Sequence, residues 1–158
     1  MISIEKEFLH FTHSICHTWG LDELSSKLFG ILYLEPHEIS IENLSKRTGY
    51  SLASISNKMR FLEEFGMAER LKKPGSKRVY YYLDKDYIKL TRKFFNKAYQ
   101  TEILTIKKSI PALMDKFKKE KLNKHELEKF KIIESLYEQA IKIDEVYQDM
   151  IKNLNTLK

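Results

Sequence analysis

One cysteine, three prolines and five glycines are all that the 158 residues contain of those three types. The single thiol, Cys16, excludes an internal disulfide framework and fits a reducing compartment. So few chain breakers make each one informative as punctuation. No apolar run approaches the roughly 20 residues needed to span a bilayer. The opening MISIEKEFLH lacks a basic segment followed by an apolar one, so no secretory signal is expected, and the expectation is a soluble, cytoplasmic protein. There is no Gly-rich phosphate loop, HExxH, CxxC or GxSxG, and therefore no motif for an enzyme. Internal repeats and low-complexity tracts are absent as well.

What is present is a globular composition with an uneven charge. Hydrophobic residues make up 42% of the chain, too many for a disordered tail, and the formal net charge is +6. Counted along the chain, residues 1–39 carry −4, 40–80 carry +5, 81–122 carry +6 and 123–158 carry −1. Positive charge is thus concentrated in the middle, as a phosphate-binding footprint requires.

That middle region has a recognisable order. SIENLSKRTG reads as a short helix with Ser40 as N-cap, Ile41 and Leu44 inward and Gly49 as stop. SLASISNKMRFLEEFG reads as a second helix with Ser51 as N-cap, an apolar stripe of Leu52, Ile55, Met59 and Leu62, and Gly66 at its end. AERLKK-PG-SKRVYYYL reads as a hairpin whose Pro74-Gly75 turn needs φ > 0 at its second central residue. Two helices and a ribbon tipped by Lys72, Lys73, Lys77 and Arg78 form a winged helix-turn-helix. This order places one helix in a major groove and a cationic loop on the neighbouring backbone.

The flanks read as helices. Ser3 caps a first helix ending near Trp19-Gly20, and Asp22 a second over 23–34. Asp84 or Asp86 opens a long run in which Ile88, Phe95, Tyr99, Ile103, Ile106 and Ile110 lie near one face, with Pro111 expected to kink or restart it. Asn123 and Glu126 form a capping box for a last helix. That helix carries two apolar registers, one through Ile133, Ala140, Tyr147 and Leu154, the other through Leu136, Ile143, Met150 and Leu157. Two flanks need more than one neighbour, so a homodimer with a helical core is expected. The expected fold is mainly α with a small β-hairpin wing. Residues 1–36 are N-terminal helices packing on the core and dimer stem, 37–86 the winged region and 87–158 the dimerisation region.

With Ile55 as the buried direction, Ala53, Asn57, Arg60 and Glu64 point outward, with Ser54 and Lys58 on one flank. The candidate DNA contacts are therefore Ser51, Ala53, Ser54, Asn57, Lys58 and Arg60, with Lys72, Lys73, Lys77 and Arg78 from the wing. Asn57 is the base reader, because its amide pairs bidentately with an adenine edge. Ser51, Ser54 and the first free N–H groups suit phosphate. Phe61 and Phe65 lie on one flank and are expected under the wing or against the preceding helix.

These residues resemble the GbsR-type branch of the MarR superfamily of transcription regulators. The likeness rests on FGILYLEP at 29–36 and SLASISNKMRFLEEFGMAERLKKPGSKRVYYYLDKD at 51–86. Ser56, Asn57, Arg60, Leu62 and Glu63 match the helix; Pro74, Gly75, Lys77 or Arg78, Tyr81 and Tyr82 match the wing. About 60 of 158 residues are covered. Phe61 departs from a usual polar or acidic residue and Ala53 from Gly or Ser, so base preference does not transfer. The resemblance implies a homodimer on a pseudo-palindromic operator, usually a repressor; some relatives respond to choline or glycine betaine.

Two further clusters carry chemistry. His10, His13 and His17, at steps of three and four with Cys16 adjoining, project from one side of a helix with spacing that suits Zn, Ni or Cu. No carboxylate or second cysteine in that segment completes a tetrahedral set, so no metal and no other cofactor is expected. Phe8, Phe11, Trp19, Phe29, Tyr33 and Tyr99 are capable of forming an aromatic cage for a quaternary ammonium effector, with Trp19, Tyr33 and Tyr99 as its core. The simpler reading is that they are packing residues. The rival functions are a winged module that binds RNA, or one that meets an acidic protein partner in a transcription or chromatin assembly.

Overall fold

A computed structural model describes residues 3–157. The chain divides into two compact units, 1–90 and 91–158. In the first, α1 (Ile4–Thr18) and α2 (Glu23–Leu34) pack against each other, followed by β1 (Ile39–Ser40), α3 (Ile41–Thr48), α4 (Leu52–Glu64), β2 (Glu69–Lys72) and β3 (Val79–Tyr82). The fold is a winged helix-turn-helix, mainly helical with a small antiparallel sheet.

Local chemistry sets most boundaries, although Ser3, the expected cap of α1, makes no side-chain cap hydrogen bond. Asp22 caps α2 by accepting from Ser25 N at 2.8 Å. Ser40 caps α3 through Asn43 N at 3.2 Å, and Ser51 caps α4 through Ser54 N at 3.2 Å. Gly49 ends α3 at φ 79, where its N–H donates to Ser45 O at 2.8 Å; a side chain there would be strained. The core is Leu28, Ile31 and Leu32 of α2, Leu44 of α3, Ile55, Met59 and Leu62 of α4, and Leu83 after the wing. Each such side chain contributes about 1.5–3 kcal/mol by leaving water, and together they hold α4 against α2 and α3.

Two expectations change here. Leu52, placed in the apolar stripe, is 49% exposed. It is the first residue of α4, next to the N-cap Ser51. The wing is also not a two-stranded ribbon: β1 pairs antiparallel with β3 through Ile39↔Tyr81 and Ser40↔Tyr80, giving strand order β1-β3-β2. Phe61 and Phe65 pack on each other with ring centroids 4.6 Å apart and planes tilted by 44°, and both remain 38% exposed.

α5 (Tyr87–Ala98) begins in the first unit and leads into a π-helical segment, Tyr99–Ile103, and the second unit continues with α6 (Leu104–Phe117) and α7 (Lys124–Thr156). Asp86 opens α5 by accepting from Lys89 N at 2.9 Å. The helix does not restart at Pro111, which lies inside α6; the departure from α geometry falls upstream, in the π segment. Asn123 and Glu126 form the capping box, at 3.0 and 2.9 Å. Asp144 of α7 is buried and accepts from Tyr99 Oη at 2.7 Å, from Gln148 Nε2 at 3.1 Å and from the Lys107 ammonium. The Lys107 contact, then Tyr99, holds the Asp144 carboxyl below the usual carboxylate range. No helix among the described residues is long and apolar enough to cross a membrane.

Candidate nucleic-acid interface

The exposed face of α4 starts at its N-cap. Ser51, Ala53, Asn57 and Arg60 are exposed, and Ser54 and Lys58 are half-buried on the flank. Ser51 Oγ lies 2.9 Å from Ser54 Oγ and also accepts Ser54 N, so both serines belong to the cap as well as to the surface. Tyr50 and Leu52, which sequence reasoning left out of the surface, are both exposed at the same end of α4. The signal for Leu52 was positional: a first-turn residue has no preceding turn of helix to shelter it.

The wing tip follows the expected turn chemistry. Ser76 N donates to Lys73 O at 3.1 Å, and Gly75 has φ 75, which lets Pro74-Gly75 reverse the chain. Register pairs Lys72 with Val79, so 73–78 form the loop. Lys72, Lys77 and Arg78 are exposed and carry no ion pair among the described residues. Lys73 behaves differently. Its ammonium is paired with Glu38 and lies 4.6 Å over the Tyr80 ring. Lys58 is likewise paired, with Asp22. Lys73 keeps Glu38 below its ordinary range; for Asp22, burial pulls upward but Lys58 and the Ser25 N–H outweigh it.

Other ionic contacts brace this unit. Arg47 of α3 forks to Glu5 of α1 and Glu35 after α2, each at 2.7 Å. Lys85 donates to Leu32 O at 2.8 Å and lies over the Tyr82 ring at 4.3 Å, and burial lowers its pKa.

His10 and His13 line a cavity of about 340 Å³ with Leu9, Glu23 and Lys27, and the His13 and His17 rings lie 6.3 Å apart. His10, His13 and His17 are exposed along α1, and no group of three or more His, Cys, Asp or Glu capable of holding a metal occurs among the described residues. Cys16 points the other way, fully buried, and burial pushes its thiol up to about 11. The aromatics do converge, with one exception. Phe8, Phe11, Trp19, Phe29 and Tyr33 line a cavity of about 220 Å³ together with Thr12, Ile15 and Tyr87. Tyr99 is not part of it: its hydroxyl is bound to Asp144 and its ring faces Tyr147 at 6.1 Å. Helical spacing alone did not show that Tyr99 is held in the second unit.

No protein-family model matches the chain. Two curated proteins of Bacillus subtilis (strain 168) are similar to part of it. YvaV, named as an HTH-type transcriptional regulator, is 26% identical over 87 residues, 53% of this chain and 49% of YvaV. OpcR, an HTH-type transcriptional repressor, is 27% identical over 71 residues, 45% of this chain and 38% of OpcR. The matched region thus spans less than half the length of either relative. A crystal structure described as that of a transcriptional regulator aligns with a TM-score of 0.72 at 18% identity, covering 98% of this chain and all of that one. The chain therefore has the fold of a solved transcriptional regulator, and its curated relatives are HTH-type regulators.

Proposed function

We propose that this chain is a cytoplasmic, sequence-specific DNA-binding transcription regulator that acts as a homodimeric repressor on a pseudo-palindromic operator. The observation that carries the reading is the exposed N-terminal half of α4, with Ala53 and Asn57 facing outward, in one compact unit with a wing tipped by Lys72, Lys77 and Arg78. A helix presented in this way enters a major groove while the wing cations reach phosphate.

The second register of α7 supports the dimer. Leu136, Ile143 and Met150 of α7, with Leu157 at its C-cap, recur every seven residues and are 47%, 46%, 41% and 49% exposed, whereas Ala140 in the first register is buried. Ile132 and Val146 lie at complementary seam positions and are also exposed, alternating with Gln139 and Asn153. A heptad seam of this length left open to water suits a second copy of itself. The aromatic groove of Phe8, Phe11, Trp19, Phe29, Tyr33 and Tyr87 is the place this reading gives to a small-molecule effector; isothermal titration with choline or glycine betaine checks it.

Selection from a random duplex library tests the reading directly. The expected result is an inverted repeat with half-sites about one helical turn apart. Asn57→Ala should relax one base position, and Lys77→Ala should weaken all sequences alike. Recovery of no motif, with neither substitution changing binding, would refute it; preference for RNA or for single strands would point to a different ligand.

A further inference from the structure

Two of the candidate DNA-contacting cations are already occupied. Lys58, on the flank of α4, is paired with Asp22, and Lys73, at the wing tip, with Glu38. All four side chains are partly solvent-accessible, so neither pair is locked inside the core. Lys72, Lys77 and Arg78, by contrast, have no acid against them among the described residues. Both acids come from outside the recognition helix and the wing: Asp22 from the N-cap of α2, Glu38 from the residue before β1.

From these contacts we infer that Asp22 and Glu38 stand in for two DNA phosphates, so that duplex binding is an exchange in which phosphate displaces a carboxylate from Lys58 and from Lys73. The inference rests on the DNA-binding reading and adds to it a built-in reduction of affinity. Each exchange neutralises one phosphate but leaves one carboxylate bare, so the net release of counterions is smaller than the number of lysines would suggest. Exposed pairs of this kind are weak, which makes them displaceable rather than blocking.

The test needs no operator, because the phosphate term is independent of sequence. The full chain and its Asp22→Asn, Glu38→Gln and double variants are titrated by fluorescence anisotropy against a mixed-sequence duplex over a range of salt. Asn is as good an N-cap as Asp, so the cap of α2 survives, and circular dichroism melting confirms the fold. Each single variant should bind about threefold tighter and the double variant about tenfold, with the slope of log K against log salt steeper by about one per freed lysine. The effect of Asp22→Asn should vanish in a Lys58→Ala background, and that of Glu38→Gln in Lys73→Ala. Unchanged affinity and slope in variants of a DNA-binding parent would overturn this inference alone. Tighter binding that persists without the lysines would also overturn it, since that is general repulsion by an acid near DNA. Failure of the parent and every variant to bind duplex at low salt would overturn the DNA reading with it.

Discussion

Gly30 offers a prediction whose sign depends on a single contact. It lies inside α2, where alanine is better than glycine by about 1 kcal/mol. A Cβ at that position would stand 2.6 Å from Leu9 Cδ2 and 2.6 Å from Thr12 Oγ1, both on α1. Leu9 yields cheaply, because the atom is the end of a flexible side chain. Thr12 does not: it is β-branched, buried, and its hydroxyl donates to Leu9 O at 3.1 Å. Overpacking of this kind costs about 1–3 kcal/mol. Gly30→Ala should therefore destabilise by about 1 kcal/mol net, seen as a lower urea midpoint at constant m-value. With Thr12→Ala the nearest remaining atom of residue 12 is its Cβ, 3.6 Å away, an ordinary contact. In that background the same Gly30→Ala change should become neutral or stabilising by up to about 1 kcal/mol. The reversal of sign is the readout. Equal stabilisation by Gly30→Ala in both backgrounds would show that α1 does not approach α2 as described.

Further outcomes are expected from other parts of the molecule. Asn57→Ala should cost about 1–3 kcal/mol on the selected site and little on a site already altered at the base it reads, measured by competition binding. Lys77→Ala should lower the salt slope by about one without changing the selected motif. Ile143→Glu should yield a folded monomer by light scattering, because it puts a charge into the heptad seam while leaving the buried register of α7 intact. Asp144, whose folded pKa lies below its unfolded one, contributes stability that is fully present above about pH 4 and is lost as pH falls through the folded value. Asp144→Asn should therefore lower the urea midpoint at neutral pH and flatten its acid limb.

The sequence by itself determined the elements that rest on local chemistry. Asp22, Ser40, Ser51 and Asn123 each cap the helix expected of them, and Gly49 and Gly75 take the positive φ that their turns require. Such features depend on a few neighbouring residues, which is why order, caps and the wing turn could be read directly. Helical periodicity separated the two registers of α7, and the one through Ala140 is the one turned inward. Only the tertiary structure decided what distant segments do to one another. β1 is two residues long and exists because Ile39 and Ser40 meet Tyr81 and Tyr80, a partnership invisible in its own composition. Leu52 is exposed although its spacing continues the stripe of Ile55, Met59 and Leu62, all three fully buried. Tyr99 left the aromatic cluster for Asp144, 45 residues away along the chain. The same holds for the acids that meet Lys58 and Lys73: the sequence placed both lysines among the candidate DNA contacts, but only folding brought Asp22 and Glu38 against them. Caps and turns are settled within a few residues of backbone, whereas burial and charge pairing are settled by whichever surfaces the folded chain brings together.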